Sequence, residues 1–261
     1  MKRSEAVRLM GNRALPWLLP ITLVLVWQGV SQSGWVATKI LPAPTDVMLA
    51  TWHLMRSGEL FQHLWISFQR AIEGFLIGGG LGFVLGLVNG TFRFAERLFD
   101  TSIQMIRTIP HLAMIPLVIL WLGIGEQAKL FLVSLGVLFP VYVNTLHGIR
   151  NVDPRLLEMG RVYGLHGWSL FCHVLLPGAL PSILVGVRYA LGMMWLTLIV
   201  AETIASDQGI GYMAMNAREF MQTDVVIVSI LLYALFGKLA DTVARFFEKR
   251  LLRWNPNYLN G

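Results

Sequence analysis

The sequence predicts an all-α integral membrane protein with six transmembrane helices. Hydrophobic residues make up 55% of the 261 residues and charged residues only 14%, whereas a soluble domain carries about 25% charged residues. Charges are therefore too few to cover a water-facing surface, and a lipid bilayer is the solvent that this composition fits. The single Cys172 excludes an intrachain disulfide.

Six apolar segments account for the predicted spans. They lie at roughly residues 15–30, 71–88, 103–122, 130–146, 184–204 and 225–239. Several are slightly shorter than the ~20 residues that cross ~30 Å of hydrocarbon, so flanking residues or tilt must supply the remainder. The first follows four basic residues, as a signal peptide would. Five further spans and a poor cleavage site, Val36-Ala37-Thr38, favour an uncleaved anchor instead.

The distribution of basic residues predicts the topology. If the spans alternate in direction, sixteen of the 21 Lys and Arg residues fall on one side of the membrane. The positive-inside rule makes that side cytoplasmic. It therefore holds both tails, residues 1–14 and 243–261, and the loop 153–177, while 15–242 forms the transmembrane domain of a bacterial inner-membrane protein. The net charge of +6 forms no single basic block, so no nucleic-acid partner is expected.

The second span contains glycines at every fourth position. They are Gly74, Gly78, Gly82, Gly86 and Gly90. A helix without Cβ atoms along one stripe lets another helix approach to backbone contact. The stripe predicts close helix packing, and its partner is either another helix of this chain or a second copy.

Prolines and ionisable groups within the spans are the candidates for a pathway or its gate. Pro110 and Pro116 each remove a backbone hydrogen bond and should kink the third span, which fits either a moving pathway or static packing. Ionisable residues at membrane depth are costly and are functional candidates by default. These arguments select Arg107, Pro110, Pro116 and Glu202.

Two other features of the ionisable residues are predicted. Arg70 and Glu73 lie three residues apart, a spacing at which they can form an ion pair on one helix face. No spacing of His or Cys residues indicates a metal site.

The loop 153–177 predicts two short helices around a tight turn. Asp153 suits an N-cap and Pro154 the first helical position. Gly164 can end that helix in a left-handed conformation. A second helix is expected from about Trp168 to Leu175, ending at Leu176 because a residue that precedes proline is biased away from helix.

No motif for catalysis or nucleotide binding accompanies these segments. Gly237-Lys238 is followed by Leu239 and has no upstream glycine, so it is not a phosphate-binding loop. No Gly-x-Ser-x-Gly or His-Glu-x-x-His motif is present. We therefore expect no enzyme. Energy for transport would come from an ion gradient or a partner protein.

The loop also resembles the "EAA" signature, Glu-Ala-Ala, x3, Gly, x9, Ile, x, Leu-Pro, of permease subunits in bacterial binding-protein-dependent ABC importers. The matching residues are Glu158, Met159, Gly160, Gly164, Val174, Leu176 and Pro177. Met159 and Gly160 replace the two alanines, and Val174 replaces the isoleucine. Segments 107–110, 120–126, 201–202 and 209–211 resemble the nitrate/sulfonate/bicarbonate branch, in particular the permeases of aliphatic sulfonate importers.

This resemblance implies the type I importer architecture with a cytoplasmic coupling loop. The expected partners are a second permease copy, two ATPase subunits that contact the coupling residues, a periplasmic substrate-binding protein and the lipid bilayer. ATP and Mg²⁺ would bind the ATPase, so this chain needs no cofactor. A sulfonate pathway should lack fixed negative charge at its narrowest point, which assigns Glu202 to packing or gating.

Three alternatives remain open at this stage. The same permease role fits taurine, nitrate, bicarbonate or a vitamin precursor. A gradient-driven secondary transporter would require a chain of intramembrane acids, for which only Glu73 and Glu202 are candidates. A membrane scaffold without a transport role is the third.

Overall fold

Every regular element of residues 18–255, the part of the chain described by the computed structural model, is helical. The α-helices are α1 Leu18–Gln32, α2 Pro44–Ser57, α3 Glu59–Thr91, α4 Arg93–Arg107, α5 Ile115–Leu122, α6 Glu126–Arg150, α7 Pro154–Val162, α8 Gly167–Leu170, α9 Leu176–Ala205, α10 Ile210–Glu219 and α11 Thr223–Leu251. A 3₁₀ turn, His111–Met114, precedes α5, and a π-helical turn, Phe171–Leu175, joins α8 to α9.

Four helical segments are long and apolar enough to cross a membrane. They are Glu59–Thr91, Glu126–Arg150, Gly167–Ile204 and Thr223–Leu251, and each contains one predicted span. The 33 residues of α3 rise about 50 Å at 1.5 Å per residue. The four helices therefore extend well beyond the apolar runs seen in the sequence, and each is longer than the ~20 residues needed to cross the hydrocarbon core.

The other two predicted spans differ from the expectation. Residues 103–122 do not form one helix, because α4 ends at Arg107 and the segment that begins at His111 is bent away from it by 80°. This pair is one broken span or a re-entrant loop. The first span corresponds to α1, which is shorter than the other four; residues 15–17 of the prediction and the tails 1–14 and 256–261 lie outside the described residues.

Of the two prolines predicted to kink the third span, only Pro110 interrupts it. Pro110 lies in the break after α4, as a helix-interrupting residue should. Pro116 does not kink a helix, because it lies in the first turn of α5, where a missing N–H costs nothing. The prolines inside described helices are Pro140 in α6 and Pro181 in α9.

The chain divides into two compact units. The smaller unit contains α1, α2, the end of α10 and the start of α11, from Met213 to Leu231. Within it, the indole of Trp27 donates to the Pro42 carbonyl (3.1 Å) and the Thr223 hydroxyl donates to the Lys39 carbonyl (2.6 Å). The larger unit contains His63–Tyr212 and the chain from Leu232 onward, and it carries all the candidate site residues.

The glycine stripe of α3 packs against α6 of the same chain. A Cβ placed on Gly74 would lie 2.5 Å from Val133, and one on Gly82 would collide with the Leu138 carbonyl. Further along, Gly86 faces Thr145 and Gly90 faces Ile149. The partner residues rise in the same order as the glycines, so α3 and α6 run parallel. This confirms the packing prediction and identifies the partner helix.

The opposite side of α6 packs closely against α9. A Cβ on Gly136 would lie 2.6 Å from the Thr197 hydroxyl, and one on Gly148 would lie 2.9 Å from the Ala179 carbonyl. These partners fall as the α6 numbers rise, so the two helices are antiparallel. Between the helices lies the main core, which consists of Ala71, Val133, Val137, Val141, Ala190, Met194, Trp195 and Leu198.

We expect Gly82→Val to destabilise the protein strongly, because the added side chain meets the backbone of α6, which cannot rotate away. Overpacking of this kind costs about 1–3 kcal/mol. Gly80→Val is the matched control, since a Cβ there meets nothing within 4 Å on the same helix. Thermal unfolding in detergent should show a lower midpoint for Gly82→Val than for Gly80→Val; equal midpoints would contradict the packing.

Candidate functional site

In the loop 153–177, hereafter the hairpin, the first helix and the turn after it have the local structure that the sequence predicts. The Asp153 carboxylate accepts a hydrogen bond from the Arg155 N–H (2.9 Å) and caps α7, with Pro154 in the first turn. At the other end of α7, the Leu165 N–H donates to the Gly160 carbonyl (2.9 Å) and the Gly164 N–H to the Arg161 carbonyl (3.0 Å). Gly164 has φ +81°. This pair of bonds around a left-handed glycine is a Schellman motif, which fixes the turn.

Gly160 lies inside the hairpin, not on its outer face. It is buried, and a Cβ there would lie 2.7 Å from Leu170 Cδ1 and 3.1 Å from Val174. Leu165 is the next nearest side chain. Of the motif positions, Gly160 and Val174 therefore hold the two helices of the hairpin together.

The outer face of the hairpin exposes several apolar side chains. Met159, Val162 and Tyr163 are exposed at helical spacing, Val162 by 86%, and Glu158 adjoins them. On the second helix, Trp168 is also exposed and stacks on Phe171, with ring centroids 5.1 Å apart. Exposed apolar side chains grouped around a charge are typical of a protein–protein interface.

The hairpin continues into α9 without a break, so the predicted helix end at Leu176 is wrong. Leu176 is helical, with φ −65° and ψ −46°, and Pro177 lies in the first turn of α9. The preference of a residue before proline for extended backbone is a bias that the surrounding structure can overcome. Here the π-helical turn connects the helices, and Leu175 and Leu176 pack against a core of Ile149, Val152, Ala179 and Ile183.

An ion network, in which Arg70, Lys129 and Glu202 are buried and Glu126 is exposed, lies at the opposite end of α6 and α9 from the hairpin. Arg70, which is 4% exposed, binds Glu126 through two nitrogens (2.5 and 2.7 Å) and Glu202 through a third (2.9 Å). Lys129 also donates to Glu126 (2.9 Å). The two cations and two carboxylates balance, as buried charges must. The predicted Arg70–Glu73 pair is wrong, because α6 and α9 bring other carboxylates to Arg70 and Glu73 is exposed.

Glu202 holds the connection between α9 and α10. Its carboxylate, 1% exposed, accepts hydrogen bonds from the Ser67 hydroxyl (2.8 Å) and the Gly211 N–H (3.0 Å). Ser67 in turn accepts from the Ile210 N–H (2.9 Å). Gly209 has φ +114° and touches the same carboxylate closely enough to leave no room for a Cβ. Glu202 therefore fastens the α9–α10 connection to α3, and its role in gating stays a prediction.

A cavity of about 410 Å³ opens halfway along α6 and α9, and Arg107 lies on its wall. The lining residues are Arg107, His111, Gly136, Phe139, Pro140, Val143, Asn144, Tyr189 and Met193. His111 Nε2 lies 3.1 Å from the Thr197 hydroxyl. Pro110 lies in the break between Arg107 and His111, whereas Pro116 and Glu202 do not line the cavity. No group of three potential ligands that could hold a metal ion occurs among the described residues.

The sequence did not identify the other walls of this cavity. Asn144, Tyr189 and Met193 come from two helices that are far apart in the chain, and their contact depends on the register of α6 against α9. The glycines at that contact, Gly136 and Gly186, were the only signal in the sequence.

Comparison with known proteins identifies the family. Residues 78–253 match the model of the family described as the binding-protein-dependent transport system inner membrane component. The chain belongs to this family. The matched region contains the hairpin, the cavity, Lys129 and both carboxylates of the ion network.

Individual relatives agree with this assignment. The chain is 65% identical to the putative aliphatic sulfonates transport permease protein SsuC of Escherichia coli (strain K12), covering 94% of each chain. It is 45% identical to the protein of the same name from Bacillus subtilis (strain 168), covering 98% of this chain and 94% of the relative. The fold is similar to that in a crystal structure of an amino acid ABC transporter, with a TM-score of 0.62 and 18% identity over 78% of this chain and 96% of the other. This permease is therefore a multi-pass inner-membrane protein with the all-α fold of type I ABC importers.

We expect Gly164→Val to abolish transport, because φ +81° is strained for a β-branched residue and the Schellman turn would open. Gly164→Asn is the matched control, since asparagine tolerates the left-handed region. A Cβ at this position meets nothing within 4 Å, so the two variants differ in backbone strain alone. Substrate uptake and membrane level are measured together. Uptake by Gly164→Val at the wild-type rate would show that the turn is dispensable.

Proposed function

We propose that this permease carries aliphatic sulfonates from the periplasm to the cytoplasm in an ATP-driven importer. The observation that supports the substrate is the 65% identity to the E. coli protein named for aliphatic sulfonate transport, which extends over 94% of both chains. Similarity over 94% of both chains extends far beyond the family's shared hairpin. Taurine, nitrate, bicarbonate and a vitamin precursor are the alternatives that the experiment below separates.

The hairpin is the docking site for the ATPase in this proposal. Its exposed apolar face with Glu158 offers a surface for the partner, and the capped, Schellman-terminated α7 is stiff enough to transmit force. Two permease copies would pair with two ATPase subunits and receive substrate from a periplasmic binding protein. The permease itself contributes no catalytic residue and no ATP or Mg²⁺ site.

The orientation follows from the charge distribution. Of the sixteen Lys and Arg residues counted on the side of the hairpin, Arg107, Arg188 and Lys238 lie within predicted spans. The other thirteen lie in loops and tails, against five on the opposite side, and the positive-inside rule makes the side of the hairpin cytoplasmic. Both termini then lie in the cytoplasm as well. An ATPase that uses cytoplasmic ATP requires the hairpin on this side.

Deletion of the gene in its native host should abolish growth on hexanesulfonate as the sole sulfur source and leave growth on sulfate unchanged. Plasmid-borne wild type should restore growth. Loss of growth on taurine alone would assign the importer to that substrate. Unimpaired growth on every sulfonate, with a defect on nitrate as nitrogen source, would overturn the sulfonate assignment.

Cysteine labelling should place the hairpin on the cytoplasmic side. In a Cys172→Ser background, Val162→Cys should react with an impermeant maleimide in inside-out vesicles, and added ATPase should protect it. Trp35→Cys should react in right-side-out vesicles. Val162 and Trp35 are both 86% exposed, so accessibility is matched. The reverse pattern of labelling would refute the orientation.

A further inference from the structure

The cavity that Arg107 lines lies between the middle parts of α6 and α9. Gly136 and Asn144 lie near the middle of α6, and Tyr189 and Met193 lie near the middle of α9. Both helices are among the four that can cross a membrane. The cavity therefore lies at about half depth in the bundle, and its volume of about 410 Å³ is within the range of small-molecule sites.

The wall carries one fixed positive charge, that of Arg107, and no negative charge. Arg107 and His111 lie on it, separated by the break that contains Pro110, and none of the nine lining residues is acidic. Arg107 forms no ion pair with any carboxylate of residues 18–255, in contrast to Arg70, Arg150 and Arg188, which are all paired. Because its side chain is also exposed, the guanidinium of Arg107 is available to a ligand that supplies the negative charge.

Asn144 adds an amide to the same wall. Its nitrogen donates to the Pro140 carbonyl one turn earlier (2.9 Å), which orients the side chain. A planar guanidinium and an oriented amide can together donate several hydrogen bonds to a three-oxygen head group. Arg107 therefore matches a sulfonate in charge, and Arg107, His111 and the amide supply donors for its three oxygens.

The rest of the wall is apolar. Phe139, Val143 and Met193 contribute aromatic, branched and flexible apolar side chains. A short alkyl chain that packs against this surface would be removed from water, and each buried methylene would make the free energy of binding more favourable. Methionine adapts to tails of different shape, which suits a family of related organic substrates.

We propose that this cavity is a sulfonate-binding site within the permease, in which Arg107 and His111 bind the anionic head and Phe139, Val143 and Met193 contact the alkyl tail. The inference rests on the proposed function, and it adds that the permease itself contacts its substrate, beyond receiving it from the binding protein. Glu202 and its network lie outside this site, so no fixed negative charge of that network opposes the anion.

The test measures binding of radiolabelled hexanesulfonate to the purified permease–ATPase complex, without the binding protein. Arg107→Gln should weaken binding at least tenfold, because it removes a charge-assisted contact. Arg107→Lys should retain binding within a few fold. Arg97→Gln is the matched control: it removes the same charge from the same helix at an exposed position that does not line the cavity, and it should bind as wild type does.

A second measurement distinguishes the loss of the binding site from misfolding of the variant. ATP hydrolysis stimulated by the substrate-loaded binding protein should persist in Arg107→Gln while uptake falls, because the hairpin is untouched. Unlabelled hexanesulfonate should also compete at least tenfold better than methanesulfonate, since only the longer tail reaches the apolar wall. Equal competition would overturn the assignment of that wall.

The outcomes separate this site from the proposed function. Unchanged hexanesulfonate binding in Arg107→Gln, or no binding to wild type at millimolar ligand, would overturn the site while growth of the host on sulfonates still supported the importer. Loss of binding in Arg97→Gln equal to that in Arg107→Gln would also overturn it, since general surface charge would then explain both. The result of the growth experiment does not depend on the cavity variants, because that experiment compares only the gene deletion with the wild type.

Discussion

The packing of α6 at backbone distance against two neighbours constrains the rest of the larger unit. On one side α3 offers its glycine stripe, and on the other side Gly136 and Gly148 of α6 bring it against α9. Any shift of α6 along either neighbour brings a carbonyl or a β-carbon into contact with backbone. Because interiors this close have few alternative arrangements, the register of these helices is fixed, and with it the positions of Arg70, Arg107 and Glu202.

The antiparallel pair of α6 and α9 connects the candidate sites. At one end, the hairpin is inserted between the last turn of α6 and the first turn of α9. At the other end, Arg70 bridges Glu126 and Glu202, and so ties the two helices together. In this structure Glu202 is fully engaged by Arg70, Ser67 and backbone N–H groups and Glu73 is exposed, an arrangement that does not favour the acid relay of a gradient-driven transporter.

Local signals in the sequence predicted local structure well, and partners distant in the chain could not be predicted. Asp153 and Gly164 act through hydrogen bonds to residues within a few positions, so their chemistry is readable from the sequence. Arg70 binds carboxylates 56 and 132 residues away, which only the packing of α3 against α6 and α9 selects. The glycine stripe predicted that such packing occurs, but not which helix fills it. Pro110 predicted a kink in the third span, but the 80° angle of the bend depends on packing that the sequence does not reveal.

The wrong prediction at Leu176 changes how the hairpin would act. A helix end there would have made residues 175–178 a hinge, and motion of the hairpin would have been absorbed before it reached the membrane. Instead the helical path runs from Gly167 to Ile204, through the π-helical turn and Pro177. The first helix of the hairpin, in contrast, is joined to α6 through the non-helical residues at Val152 and Asp153. In the proposed docking, a force on the exposed face of the hairpin would be transmitted along α9, whose middle residues Tyr189 and Met193 form one wall of the cavity. The connection to α6 is held by Val152, which packs in the core with Ile149, Ala179 and Ile183.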